Sequence, residues 1–222
     1  MLNQNFNERV VVNPSNYKNV ASPCSGVKRI LLERNEDTEY AVSTTIVTFD
    51  KQSYFDEHSH DGGEELFVLN GTFSDEYGDY PAGTYIRNSR KSKHKPFSID
   101  GCTLFVKLRQ FQDDDHQSIC LQTNNCKWSP GLVKGLHVMP LHNFKHENTA
   151  LVKWDPNTQF TPHQHWGGEE IFVIDGTFYD EHGEYPKHSW LRNPHLSQHS
   201  PYTLDDGALI FVKTGHLIDD KK

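Results

Sequence analysis

Two pairs of alternating histidines stand out in the chain, His58-x-His60 and His163-x-His165. Each is followed after three residues by a glutamate, Glu64 or Glu169, and much later by a third histidine, His94 or His199. Alternate residues of a strand point to one face, so both histidines of a pair can aim inward together. Gly62-Gly63 and Gly167-Gly168 allow the tight reversal that brings the glutamate back beside them. Three imidazoles and one carboxylate suit a divalent transition metal, Zn, Fe, Mn, Ni or Cu. A lone H-x-H is common on ordinary surfaces, but here the whole set recurs while neighbours drift, Asp61 to Trp166 and Gly83 to His188. Strand packing does not explain that retention. His58, His60, Glu64 and His94, and His163, His165, Glu169 and His199, are therefore the expected ligands, one metal per half.

Other repeated polar residues surround this set. Glu65 and Glu170 rival the carboxylate role, but alternation puts them on the opposite face from Glu64 and Glu169. They are read as groups that fix histidine tautomers from behind or pair between strands. Tyr80, Arg87 and Asn88 recur as Tyr185, Arg192 and Asn193. Lining the barrel mouth and binding an anionic or carbonyl ligand is one role for them; pairing of the arginines with hairpin acids such as Asp75 is the favoured alternative. His182, His188 and His195, confined to the second half, are read as solvated loop residues.

The elements that must position these groups are strands. Thr44–Phe49 and Leu151–Trp154 alternate with period two, and no stretch offers an amphipathic helix longer than two turns. Asp75-Glu76-Tyr77-Gly78 and Asp180-Glu181-His182-Gly183 divide strand-like runs as hairpin turns. From His58 and His163 the two halves run in step at an offset of 105 residues, so the chain is two copies of one all-β domain. An arm over 1–18, a domain over 19–111, a polar linker over 112–127 and a second domain over 128–218 are expected.

Composition removes several function classes. The formal charge is −8 and no Lys/Arg cluster exists, so a nucleic-acid partner is not expected. No basic-then-apolar leader and no long apolar run appears, so the chain is expected to be cytoplasmic, without a membrane partner. Cys24, Cys102, Cys120 and Cys126 form no CxxC pair and do not repeat between the halves; they are read as packed thiols.

The spacing H-x-H-x3-E-x6-G, ending at Gly71 and Gly176, with the late histidine, is similar to the cupin motif. A longer pattern narrows this. GGEELFVLNGTFSDEYGDYPAGTYIRN, then Ser92-x-His94-x-Pro96 and CTLFVKLRQ, with GGEEIFVIDGTFYDEHGEYPKHSWLRNPHLSQHSP in the second half, resembles the ChrR-type cupin family over about residues 20–215. The resemblance implies a bicupin, two tandem double-stranded β-helix (jelly-roll) barrels. It also implies a metal, often zinc, held by the residues matching His58, His60, Glu64 and His94. That family includes the cupin domain of ChrR anti-sigma factors, which restrain an extracytoplasmic-function sigma factor until oxidative stress. Their sigma-gripping helical domain carries an H-x3-C-x2-C zinc site, and the first twenty residues here hold no such cluster.

A metal-binding regulatory or sensing protein of stress-responsive transcription, without the sigma-binding domain, is the function this resemblance implies. An Fe(II)-dependent dioxygenase cleaving a small diketone or hydroxy-ketone is the alternative, and a purely structural metal is a third. Zinc is the first expectation for each cupin, with iron, manganese or nickel as alternatives. A small-molecule ligand in the barrels, a regulatory protein partner and a homodimer through sheet edges are the expected associations.

Overall fold

The computed structural model describes residues 1–38 and 40–218. The chain forms two compact units, one of Met1–Gln4 with Lys18–Cys126, the other of Asn5–Tyr17 with the chain from Lys127 onward. Among the described residues there is no α-helix, only 3-10 turns at Pro14–Asn16 and Thr123–Asn125. No helix is long and apolar enough to cross a membrane.

The first unit is built on one large antiparallel sheet and one small one. In spatial order the large sheet runs Ile119–Gln122, Thr84–Asn88, Glu64–Asp75, Cys102–Leu108, Ser43–Phe49, Val27–Arg34 and Asn19–Ala21. Its inner face is apolar because the strands alternate. Val47 and Phe49, Leu66 and Val68, and Leu104 and Val106 turn inward to one core with Phe73 and Ile86. Each such side chain contributes about 1.5–3 kcal/mol by leaving water. The small sheet pairs His58–His60 with Ser92–His94. The long Glu64–Asp75 strand joins the two ends of the unit. Its first part pairs with Cys102–Leu108, and its last part turns into the Gly78–Pro81 hairpin. Gly71 sits at the change, at φ +73°, and a Cβ there would meet the Gly101 carbonyl at 2.1 Å. Only glycine tolerates both conditions.

The second unit repeats this plan. Its large sheet runs Val10–Val12, Trp190–Asn193, Glu169–Asp180, Ala208–Thr214, Glu147–Trp154, Leu136–Phe144 and Ser129–Pro130, and its small sheet pairs His163–His165 with Ser197–His199. Ile171, Val173, Leu191 and Ile210 fill the core with Trp154 and Phe178.

The edges differ from the expected division into arm, domain and linker. Residues 112–127, expected as a polar connection, carry the strand Ile119–Gln122, which pairs Ile119 with Arg87 in the first unit. The expected arm carries Val10–Val12, which pairs Val10 with Arg192 in the second unit. Arg87 and Arg192 are equivalent, so Val10 and Ile119 are too. The strand that leads each repeat thus completes the sheet of the other unit. Open edges need partners, and these short β-branched and aliphatic runs supply them.

Candidate metal centres

In each unit the small sheet brings three histidines to one point. His58 pairs directly across from His94, with His60 two residues along the same strand, so all three rings share a face. The ligand atoms of His58, His60 and His94 lie within 4.8 Å of one another, and the same holds for His163, His165 and His199. The glutamates arrive from the large sheet. Glu64 Oε2 lies 3.5 Å from His60 Nε2 and 3.7 Å from His94 Nε2; Glu169 Oε2 lies 3.4 and 3.5 Å from the Nε2 atoms of His165 and His199. All eight expected ligands therefore fall into two matching clusters. His58 and His163 are half-buried and the other six buried.

The nitrogen atoms facing the centre are the Nε2 atoms. His58 Nδ1 and His163 Nδ1 donate to the carbonyls of Asp56 and Thr161, at 2.9 and 3.1 Å, which leaves each Nε2 a lone pair. The Nδ1 atoms of His94 and His199 face Asp75 and Asp180 at 3.3 and 3.4 Å. His60 Nε2 and His94 Nε2 point at each other across 2.9 Å, and His165 and His199 across 3.0 Å. Two facing lone pairs repel unless a proton or a cation lies between them. A shared proton or a divalent ion meets that condition, and with the carboxylate beside the imidazoles the residues fit a metal.

Electrostatics separate the histidines of each cluster. Burial lowers the His60 pKa, and the charges of His94, His58 and Arg109 add to it against Glu64. Burial pushes the Glu64 carboxyl up, but His60, His94 and the Asn88 amide outweigh it and hold it below its ordinary value. His94 is raised, because its bond to Asp75 and the charges of Glu64 and Asp75 overcome burial. Burial likewise lowers His165 and His163. For Asp180, burial is overcome by hydrogen bonds from His199, Tyr185 and the His182 amide together with Arg9, which hold the carboxyl down to about 2.

The surrounding polar residues divide into two groups. Asn88 Nδ2 donates to Glu64 Oε2 at 2.9 Å, and Asn193 Nδ2 to Glu169 Oε2 at 3.0 Å, so both asparagines orient the carboxylates. Tyr80 and Tyr185 donate to Asp75 and Asp180, one step behind His94 and His199. Glu65, Arg87, Glu170 and Arg192 belong elsewhere. Glu65 accepts from Tyr85 at 2.5 Å and Glu170 from Trp190 at 2.8 Å, on the face away from the histidines. Arg87 does not line the barrel mouth and does not pair with Asp75. It is fully buried, bonds Asp115 at 2.8 Å and stacks on Phe111 at 3.8 Å. Arg192 is buried too, donating to the Asn5 carbonyl and lying over Phe6. Strand alternation explains both: Glu65 and Arg87 are cross-strand partners and share the outer face. His195, expected to be solvated, accepts the Gly167 amide, and the His188 ring stacks on Phe172.

Several residues here were not expected. Asp75 and Asp180 were read as turn formers, and they are, accepting the amides of Tyr77 and His182. Their repeated place before the late histidine was the available signal for the second role. Arg9, just before the Val10–Val12 strand, reaches Asp180 at 3.0 Å, the Tyr185 hydroxyl and Asn193, bracing the second centre from behind. The first centre opens into a cavity of about 470 Å³ whose lining includes His58, His60, Glu64 and His94, the apolar Val47, Phe49, Leu104 and Val106, and three arginines, Arg29, Arg34 and Arg109. No repeat marks those arginines.

Comparison with known proteins agrees with this architecture. The profile of the ChrR Cupin-like domain matches twice, over residues 7–112 and 116–218. A comparison with curated protein sequences finds no match. Among solved structures, Ylba of Escherichia coli superposes with a TM-score of 0.73 at 13% identity, covering 98% of this chain and 94% of that one. The bacterial pirin YhhW of Escherichia coli in complex with nickel(II) gives 0.70 at 12%, over 95% and 100%. The oxalate decarboxylase formate complex of Lactobacillus farciminis gives 0.68 at 12%, over 94% and 86%. Such identities speak for the fold alone. With both repeats matched by one profile and both histidine clusters built alike, the chain belongs to the ChrR cupin-like family as a bicupin with a metal-binding fold.

Proposed function

We propose that this bicupin holds two divalent ions and that the first centre receives a small molecule at its ion. The observation that carries this is the cavity shared by all four ligands of the first unit. Four protein donors on a six-coordinate ion leave two positions open, and the cavity gives a ligand a route to them. We take the ion to be Fe(II) and the reaction to be oxygen-dependent cleavage of a small diketone or hydroxy-ketone.

His58, His60, His94 and Glu64 would hold the ion. When bound, it supplies Lewis acidity and redox capacity. Asn88 keeps the Glu64 carboxylate turned to the centre, and Asp75 keeps the His94 Nε2 lone pair inward. Val47, Phe49, Leu104 and Val106 form an apolar wall that keeps water from the reacting groups.

The test is metal content by mass spectrometry on untagged protein purified without chelators, then oxygen uptake by Fe-loaded protein with β-diketones and hydroxyacetophenones. Near two iron or manganese per chain with uptake supports the reading. Absence of metal from both units overturns it. A second reading is regulatory, and the ChrR profile over both repeats favours it. There, two zinc ions serve ligand or oxidant sensing, and a protein partner reads the change. Two zinc per chain, no oxygen uptake and a partner recovered only with intact metal would select it.

A further inference from the structure

We propose that the ligand of the first centre carries a carboxylate, and that Arg34 and Arg109 hold it while its carbonyl end faces the histidines. The inference rests on the metal reading above and names the substrate class for that site: a small carbonyl compound bearing a carboxylate.

Charge is the first argument. Arg29, Arg34 and Arg109 line the same cavity as the four ligands. Asp56 and Glu57 line it as well, so guanidinium groups and carboxylates share the cavity with the four candidate ligands. Among the described residues no carboxylate pairs with Arg34: its Nε donates to the Glu36 carbonyl at 2.7 Å and its Nη2 to the Thr38 carbonyl. Arg109 lies over the Tyr40 ring at 5.1 Å, and the carboxylate of the exposed Asp61 stands 3.7 Å away. That is outside good hydrogen-bond range. A planar fork so placed matches a carboxylate.

Backbone conformation is the second argument. Leu108 pairs with Glu64 and Thr214 with Glu169, so Arg109 and Gly215 occupy the same position. Gly215 has φ +80°, and a Cβ there would meet the His146 carbonyl at 1.9 Å. Arg109 has φ +61°, a left-handed conformation that a side chain adopts at a cost. A residue kept in a costly conformation beside a cavity points to a role for its side chain.

Asymmetry is the third. The registers of the first strands place Val138 and Asn143 of the second unit where the first has Arg29 and Arg34. Tyr40 belongs to a connection, residues 35–42, that is replaced by Lys145 and His146 alone in the second unit. The anion site is thus a property of the first unit.

The experiment is a calorimetric titration of the full chain loaded with Mn(II). The probes are 2,4-dioxopentanoate and its neutral relative 2,4-pentanedione, with metal content checked after gel filtration. The acid is expected to bind at one per chain, tenfold or more tighter than the diketone. Arg109→Gly removes the guanidinium and suits the backbone. It should abolish that preference while melting at or above the parent temperature, and Arg34→Gln should weaken it severalfold. Equal affinity for the two probes, two acid molecules per chain, or an unchanged preference in both variants overturns the proposal and leaves the metal reading standing. Binding of the acid that needs Arg109 but no metal would retain the anion site and sink the metal reading instead.

Discussion

His94 Nδ1 faces a carboxylate oxygen of Asp75 at 3.3 Å, and the same aspartate accepts the Tyr77 amide and the Tyr80 hydroxyl, each at 2.9 Å. The hairpin turn and the candidate ligand His94 are therefore fixed by one side chain. The carboxylate sets the tautomer that leaves Nε2 as donor and raises its basicity. Asp75→Asn is expected to weaken metal at the first centre by about 10–100-fold, and Asp180→Asn at the second by a similar factor. Competition with a chromogenic chelator, resolved for the two sites, reads this. Unchanged affinity in Asp75→Asn would reduce that residue to a turn former.

Arg87 makes a separate prediction. Its pair with Asp115 is buried at both ends, so Arg87→Ala strands a carboxylate and is expected to cost about 3–5 kcal/mol of stability. Metal stoichiometry and probe affinity of the folded variant should match the parent, because Arg87 lies off the cavity. Denaturant unfolding and metal analysis on the same sample test both halves of the statement.

Cys102 predicts an alkaline weakness. It is 3% exposed, and burial, against weaker bonds from Ser98 and the Phe49 amide region, pushes its thiol from 9.0 up to about 11. The folded-state value is the raised one. Its contribution is thus fully present below about pH 9 and is lost as pH rises toward 11, about 2–3 kcal/mol over that window at 1.36 kcal/mol per unit. Denaturant midpoints measured from pH 8 to 11 should fall more steeply in the parent than in Cys102→Ala. Equal slopes would show that the thiol does not govern the effect.

The two histidine–glutamate clusters were legible in the sequence because strand alternation and the repeat act on the same residues. H-x-H puts His58 and His60 on one face, and the x3 spacing places Glu64 rather than Glu65 with Leu66 and Val68, toward the inner face. The repeat also concealed things. Arg29, Arg34 and Arg109 occur once and sit at scattered strand positions, so a search for what the halves share passes over them. Arg87 and Arg192 misled for the opposite reason: they are shared, yet they serve the outer face of the sheet. Val10–Val12 and Ile119–Leu121 share little sequence and lie at a different offset from the histidines, which hid their equivalence. Their place was set by the vacant edges of distant strands, which no local pattern records.

Each large sheet takes its edge strand from the segment that leads the other repeat. Severed after residue 112, the first repeat would keep Val10–Val12 with no edge to join and would bare the edge of Thr84–Asn88, where Ile119–Gln122 normally lies. A second copy supplies the missing piece, since Val10–Val12 matches Ile119–Leu121 in register. Residues 1–112 alone should therefore run in light scattering as a two-fold dimer with exchanged strands, and residues 113–222 should convert that dimer into a one-to-one complex. A stable monomer of 1–112 would contradict this. The shared exchange of edge strands leaves the two centres unlike, one beside the cavity arginines and the other braced by Arg9.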